Sequence, residues 1–160
     1  MSHTTARTTA HRAVRTTLAS LALWGVALAG AAHASQNTPL GVWHSIDDKT
    51  GQPRSEVVID EREGQLSGRI VRSLAPDAKP DRVCDLCTDD RKNQPIVGME
   101  IIRGAKQAEG KNVWEGGRIL DPESGKTYAL RLTPVENGAK LEVRGSIGPF
   151  GRTQTWVRVR

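Results

Sequence analysis

The sequence predicts an all-β fold, an eight-stranded antiparallel up-and-down barrel with one long cysteine-containing loop. Three observations point there: short stretches with strand character recur along the chain, turn chemistry separates them, and no window carries a helical apolar stripe. Closure into a barrel removes the exposed edges of an open sheet, and at eight strands the interior is filled by side chains or holds one small ligand. A two-sheet sandwich is the competing arrangement of the same strands.

The first 34 residues read as a secretory signal peptide rather than as part of the fold. Arg7, Arg12 and Arg15 precede an apolar run from Leu18 to Ala32, and "AHA" at 32–34 supplies small residues at both cleavage-determining positions. The run falls short of the ~20 residues that span a bilayer, which disfavours an uncleaved anchor. No Cys follows the expected cut, and no adjacent Arg pair marks a twin-arginine signal. The expected product begins near Ser35, is soluble with no membrane span, and resides in the periplasm or outside the cell.

Cleavage changes the charge argument. It removes three of the 23 basic residues and none of the 18 acidic ones, which leaves a net charge of +2. So small a balance gives no case for nucleic acid, whose binders need a clustered basic footprint. His44 is the one histidine after the cut. The remaining chain, roughly 126 residues, suffices for one domain with a single core.

Eight strands follow in order, each ended by a turn rich in Gly, Pro, Asn or Asp. "GVWHSI" (41–46) ends at "DDKTGQP", "SEVVID" (55–60) at "EREG", and "QLSGRIVR" (65–72) at a long insertion, 73–95, that holds Pro76, Pro80 and both cysteines. "IVGMEIIR" (96–103) is followed by "GAKQAEGK", "NVWEGGRIL" (112–120) by "DPESGK", and "KTYALRL" (126–132) by "ENGAK". "AKLEVRGS" (139–146) and the closing "GRTQTWVRVR" (151–160) complete the set.

The two ends of the chain belong together in such a barrel, because its first and last strands are neighbours. Gly41, Val42 and Trp43 form a Gly-x-Trp opening, and the last strand carries Trp156 with Arg158 two positions on. An Arg from one strand can lie flat over an indole from the other and cover that end of the barrel. Lipocalin-type barrels look similar at these positions. A longer likeness runs through "GVWHSID", "GRIV", "CDLCTDDRKNQPIVGMEII", "GGRILDPESGKTY" and "LEVRGSIGPFGRTQTWVR", in that order. With these motifs the chain resembles the bacterial domain-of-unknown-function 2147 family over nearly all of the expected mature product. The resemblance implies a secreted protein with a lipocalin-like β fold, and it implies no activity and no site residue.

Cys84 and Cys87, in "CDLC", have three readings: a local disulfide, a redox pair, or half a zinc site. Zinc would have to recruit Asp85, Asp89 or Asp90, and a redox pair usually sits at a helix N-terminus in a βαβ unit. The favoured reading is a structural disulfide, whose small ring removes little chain entropy and serves to shape the loop. The acidic stretch Asp77, Asp81, Asp85, Asp89 and Asp90 lacks the ligand spacing of an EF-hand and reads as a solvated loop. Gly125, Lys126 and Thr127 lack the earlier Gly of a phosphate-binding loop, so Pro122 to Gly125 reads as a hairpin turn. His44 has no nucleophile at a motif spacing, and the chain has no Gly-x-Ser-x-Gly elbow. No catalytic residue, metal or cofactor is assigned.

Arginines lie within or beside the later strands: Arg118, Arg131, Arg144, Arg152 and Arg158. The last strand has two unlike faces, Arg152, Gln154, Trp156 and Arg158 against Thr153, Thr155, Val157 and Val159. If the Thr/Val face is core, the arginines only blunt the surface. If the Arg/Trp face is core, each guanidinium needs an acidic partner such as Glu142 or Asp121, or an anionic ligand. On that second reading Trp43, Arg144, Arg152, Gln154, Trp156 and Arg158 are the candidate ligand-binding residues of a non-enzymatic carrier for a small amphipathic or anionic molecule. The alternative is an envelope protein-interaction module that uses the 73–95 loop on a filled barrel, and an enzyme ranks third.

Overall fold

A computed structural model describes residues 37–76, 78, 79 and 81–159, together with Met1. The apolar segment and cleavage site of the expected signal peptide, Ser35, Asp77, Pro80 and Arg160 lie outside the described residues. Eight strands follow one another: β1 (Gly41–Ile46), β2 (Pro53–Arg62), β3 (Gln65–Ser73), β4 (Glu100–Gln107), β5 (Trp114–Asp121), β6 (Lys126–Val135), β7 (Lys140–Ile147) and β8 (Phe150–Arg158). Each pairs antiparallel with the next, and β8 returns to β1 through Trp43↔Arg158 and His44↔Val157, so the sheet is a closed barrel. Closure decides between barrel and sandwich in favour of the barrel.

Strand alternation places the core. Trp43↔Val57↔Ile70, Gly68↔Ile102↔Ile119↔Tyr128 and Trp114↔Leu132↔Val143↔Gln154 are registered rows on the inner face, with charged and polar residues between them pointing out. Glu63 and Gly64 join β2 to β3 with positive φ at both positions, 52° and 71°, the backbone of a two-residue hairpin whose twist matches the strands. Gly68 keeps the interior narrow at its level: a Cβ there would sit 2.9 Å from Ile102.

β4 starts and ends later than its sequence suggests, at 100–107 rather than 96–103. Gly98, at φ 94°, breaks the extended backbone after Ile96 and Val97, and the positive φ of Gly104 forms a bulge that carries the strand through its expected turn. The other strands match their sequence readings within a few residues.

The long loop between β3 and β4 packs on the outer wall of β5 and β6 near their hairpin. Cys84 and Cys87 form a disulfide and are buried. Cys84 Sγ lies 3.4 Å from the carbonyl of Pro122, and the Leu86 carbonyl comes so close to Gly125 that a Cβ there would sit 2.1 Å away. Arg91, a buried guanidinium, donates to the Glu100 carbonyl at 3.1 Å and reaches Thr127 Oγ1 at 3.5 Å, and Thr127 pairs with the buried Leu120 on the same outer face. The loop thus covers Leu120. Among the described residues no helix is long and apolar enough to cross a membrane.

Candidate functional site

The up-and-down order puts the start of β1, the end of β8 and the β2–β3, β4–β5 and β6–β7 links at one end of the barrel. That end is sealed. Trp43 is buried, with its indole N–H donating to the Pro39 carbonyl at 2.7 Å. The Arg158 guanidinium lies 4.1 Å from the ring centroid of Trp43 and donates to the carbonyls of Thr38 at 2.6 Å, Leu40 at 2.7 Å and Gly138 at 2.5 Å. Burial pulls the Arg158 pKa below its ordinary value. The stacked pair expected from the sequence is present. The partners of the half-buried guanidinium, however, include three backbone carbonyls, and neither Glu142 nor Asp121 is among them. Glu142 is exposed on the outer face, and Asp121 instead accepts from the Glu123 N–H and the Ser124 hydroxyl in its turn.

At the opposite end are the β1–β2, β3–β4, β5–β6 and β7–β8 links, and here burial falls off along the inner face of β8. Trp156 is 2% exposed and its indole N–H donates to Gln154 Oε1 at 3.3 Å. Gln154 is half-buried, and the Arg152 side chain, 67% exposed, pairs with Asp48 of the β1–β2 turn through Nε at 2.6 Å. The inward face of the last strand is therefore the Arg/Gln/Trp face, with Val157 and Val159 exposed. Half-buried Ile119 and Tyr128 flank Gly145 on the inner face, where an added Cβ would lie 3.3 Å from Tyr128 and 3.7 Å from Ile119. Ser45 and Ser55 pair at 2.6 Å, two residues along the inner face from Trp43 and Val57.

The structure thus divides the predicted set. Gln154 and Arg152 lead from buried Trp156 toward the end opposite Trp43 and Arg158. Trp43 and Arg158 form the closed end, 4.1 Å apart. Arg144 points outward, between inward Val143 and Gly145, and donates to Thr153 Oγ1 at 3.4 Å. Sequence reasoning missed Ile119, Tyr128, Ser45, Ser55 and Asp48. Tyr128 was accessible to it, two positions before Leu130 in "KTYALRL"; the pairing of Arg152 with Asp48, 104 residues apart, left no local signal.

Two acidic residues of the long loop, Asp89 and Asp90, are engaged by arginines. Arg91 hydrogen-bonds Asp89 and holds its carboxyl at about 2, and Arg103 lowers that of Asp90 through a bidentate pair at 2.8 and 2.9 Å. Glu123 is lowered in the same way, chiefly by Arg54 and also by Arg82. Arg103–Asp90 ties the loop to β4 and Arg82–Glu123 ties it to the β5–β6 turn, while Arg91–Asp89 braces it from within. His44 lies on the outer wall with its Nε2 3.2 Å from Glu56, which also accepts from Arg72 at 2.9 Å.

A search of curated proteins finds no match for this sequence. Among solved structures, the fold is similar to that of protein HP1028 from the human pathogen Helicobacter pylori, described as belonging to the lipocalin family. The TM-score is 0.64 at 22% identity, over 76% of this chain and 82% of that one, which is a likeness of fold. The bacterial family DUF2147, described as an uncharacterized protein conserved in bacteria, matches residues 41–158, from the first strand of the barrel to the last, and the chain belongs to that family.

Proposed function

We propose that this protein is a non-enzymatic binding module of the periplasm that takes a small amphipathic, anionic molecule into the open end of its barrel. The apolar body lies against Trp156, Ile119 and Tyr128, Gln154 supplies a hydrogen bond, and the anionic head meets Arg152 at the rim. The observation that carries this reading is the gradient along β8, from buried Trp156 through half-buried Gln154 to exposed Arg152, opposite an end sealed by Trp43 and Arg158. The lipocalin-like barrel supports it. Asp48 pairs with the Arg152 guanidinium, and an anionic head would compete with it.

Titration with a fluorescent fatty-acid probe tests the proposal, with Arg152→Ala as the exposed variant and Trp156→Ala as the buried one. Saturable binding that weakens in Arg152→Ala at unchanged stability supports it. No saturable binding to the parent protein overturns it and moves the function to the long loop. That second reading, a scaffold for an envelope protein, draws on the exposed Val83, Leu86 and Val97 of the loop.

A further inference from the structure

The β7–β8 hairpin ends in an apolar tip. Phe150 is 81% exposed and Ile147, its registered partner, 57% exposed, either side of Gly148 and Pro149. Large apolar side chains in this position contribute nothing to the core and carry a solvation cost, which marks an interaction surface.

Behind the tip, the outer wall concentrates arginine in an unusual way. Arg103 stands directly opposite Arg118 across β4 and β5, and Arg131 directly opposite Arg144 across β6 and β7. Like charges at directly opposed positions repel. Asp90 and Glu100 neutralise Arg103, and Glu115 neutralises Arg131. Arg118 and Arg144 have no carboxylate at ion-pair distance among the described residues. In register with Arg118 on the next three strands stand only Ala129, Ser146 and Gly151, and the Arg144 guanidinium lies along Gly151. Small side chains leave both guanidinium groups uncovered.

We propose that the hairpin tip and this wall form a docking surface for a bilayer rich in anionic lipid. Ile147 and Phe150 enter the acyl boundary while Arg144 and Arg118 meet lipid phosphates, which guanidinium groups bind bidentately. The spacing suits this arrangement. Phe150 precedes Thr153, the cross-strand partner of Arg144, by about 10 Å of strand, comparable to the ~5–10 Å that interfacial apolar groups penetrate. Arg118 and Arg144 lie on the outer wall, while Ile147 and Phe150 continue the inner-face positions of Gly145 and Arg152 to the tip of the hairpin, past the rim of the barrel.

A fluorophore sensitive to polarity, attached to Phe150→Cys in the full-length chain, reads insertion at the tip itself; Val157→Cys, exposed near the sealed end, is the control. The native cysteines are tied up in their disulfide. With phosphatidylglycerol-containing vesicles the label at 150 brightens and shifts to the blue, with phosphatidylcholine alone it does not, and added salt reverses the change. The Arg118→Gln/Arg144→Gln double variant weakens the response on the order of tenfold, while its unfolding midpoint stays level or rises because a repulsion has been removed. A label at 150 that stays dim, a label at 157 that brightens equally, or a double variant that binds like the parent overturns the proposal. A dim tip would leave the hairpin to a protein partner.

Discussion

Arg158 stacks on Trp43 at 4.1 Å and hydrogen-bonds carbonyls from residues 38, 40 and 138, so a single side chain of the last strand holds the segment before β1 and the β6–β7 link together. Its removal leaves three carbonyls short of a donor and uncovers a buried indole. Arg158→Ala is expected to lower stability by about 2–4 kcal/mol in urea denaturation. Arg158→Lys should recover only part of that, because an ammonium cannot reproduce the planar fork. A loss below about 0.5 kcal/mol in Arg158→Ala would refute the sealing role.

Two glycines are set by close approach. At Gly68 a methyl group would meet Ile102 at 2.9 Å, so Gly68→Ala should cost about 1–3 kcal/mol, and Ile102→Val in the same chain should restore part of it. At Gly125, with φ +67°, a methyl group would meet the Leu86 backbone at 2.1 Å. Gly125→Ala should displace the long loop, seen as faster amide exchange at 84–98 with β1, β7 and β8 protected as before.

The disulfide closes a ring of three intervening bonds in sequence, Cys84 to Cys87. The loop-entropy relation for so small a ring gives about 2 kcal/mol at most. Cys84→Ala/Cys87→Ala should therefore keep the barrel, read by far-ultraviolet circular dichroism, and loosen the loop, read by limited proteolysis within 81–98. Global unfolding of the double variant would show that the loop is integral to the barrel.

The loop clamp should respond to acid at an unusually low pH. Asp89, Asp90 and Glu123 all have lowered values, so their stabilisation is complete above the ordinary carboxylate range and is lost as pH falls through the folded values, about 2 for Asp89. The protection factors of the loop amides, observed exchange set against intrinsic exchange at each pH, should stay flat from pH 7 to about 4 and fall only below that. Asp89→Asn should remove most of this acid dependence at Arg91. Release of the loop between pH 7 and 5 would contradict the assignment.

The barrel was legible in the sequence because strand alternation and turn chemistry are local. "EREG" before Gln65 and "DPESGK" after Leu120 act within a few residues, and the structure places a turn at each. The stacking of Arg158 on Trp43 was legible for a topological reason, since closure makes first and last strands neighbours. Residues 96–107 were misread at both ends, because a bulge and a positive-φ glycine look like a turn in sequence whether the strand stops or continues.

What the sequence determined by itself was the number and order of strands, their two unlike faces and a local bridge between Cys84 and Cys87 as the favoured reading. Which face of β8 turns inward was decided only in three dimensions, because both "RQWR" and "TTVV" alternations satisfy the same period and only the partners across the barrel break the tie. Tertiary structure likewise chose Asp48 for Arg152, backbone carbonyls for Arg158 and the outer wall for Arg144. Those choices rest on contacts between residues distant in the chain, where the geometry of closure rather than local preference selects the partner.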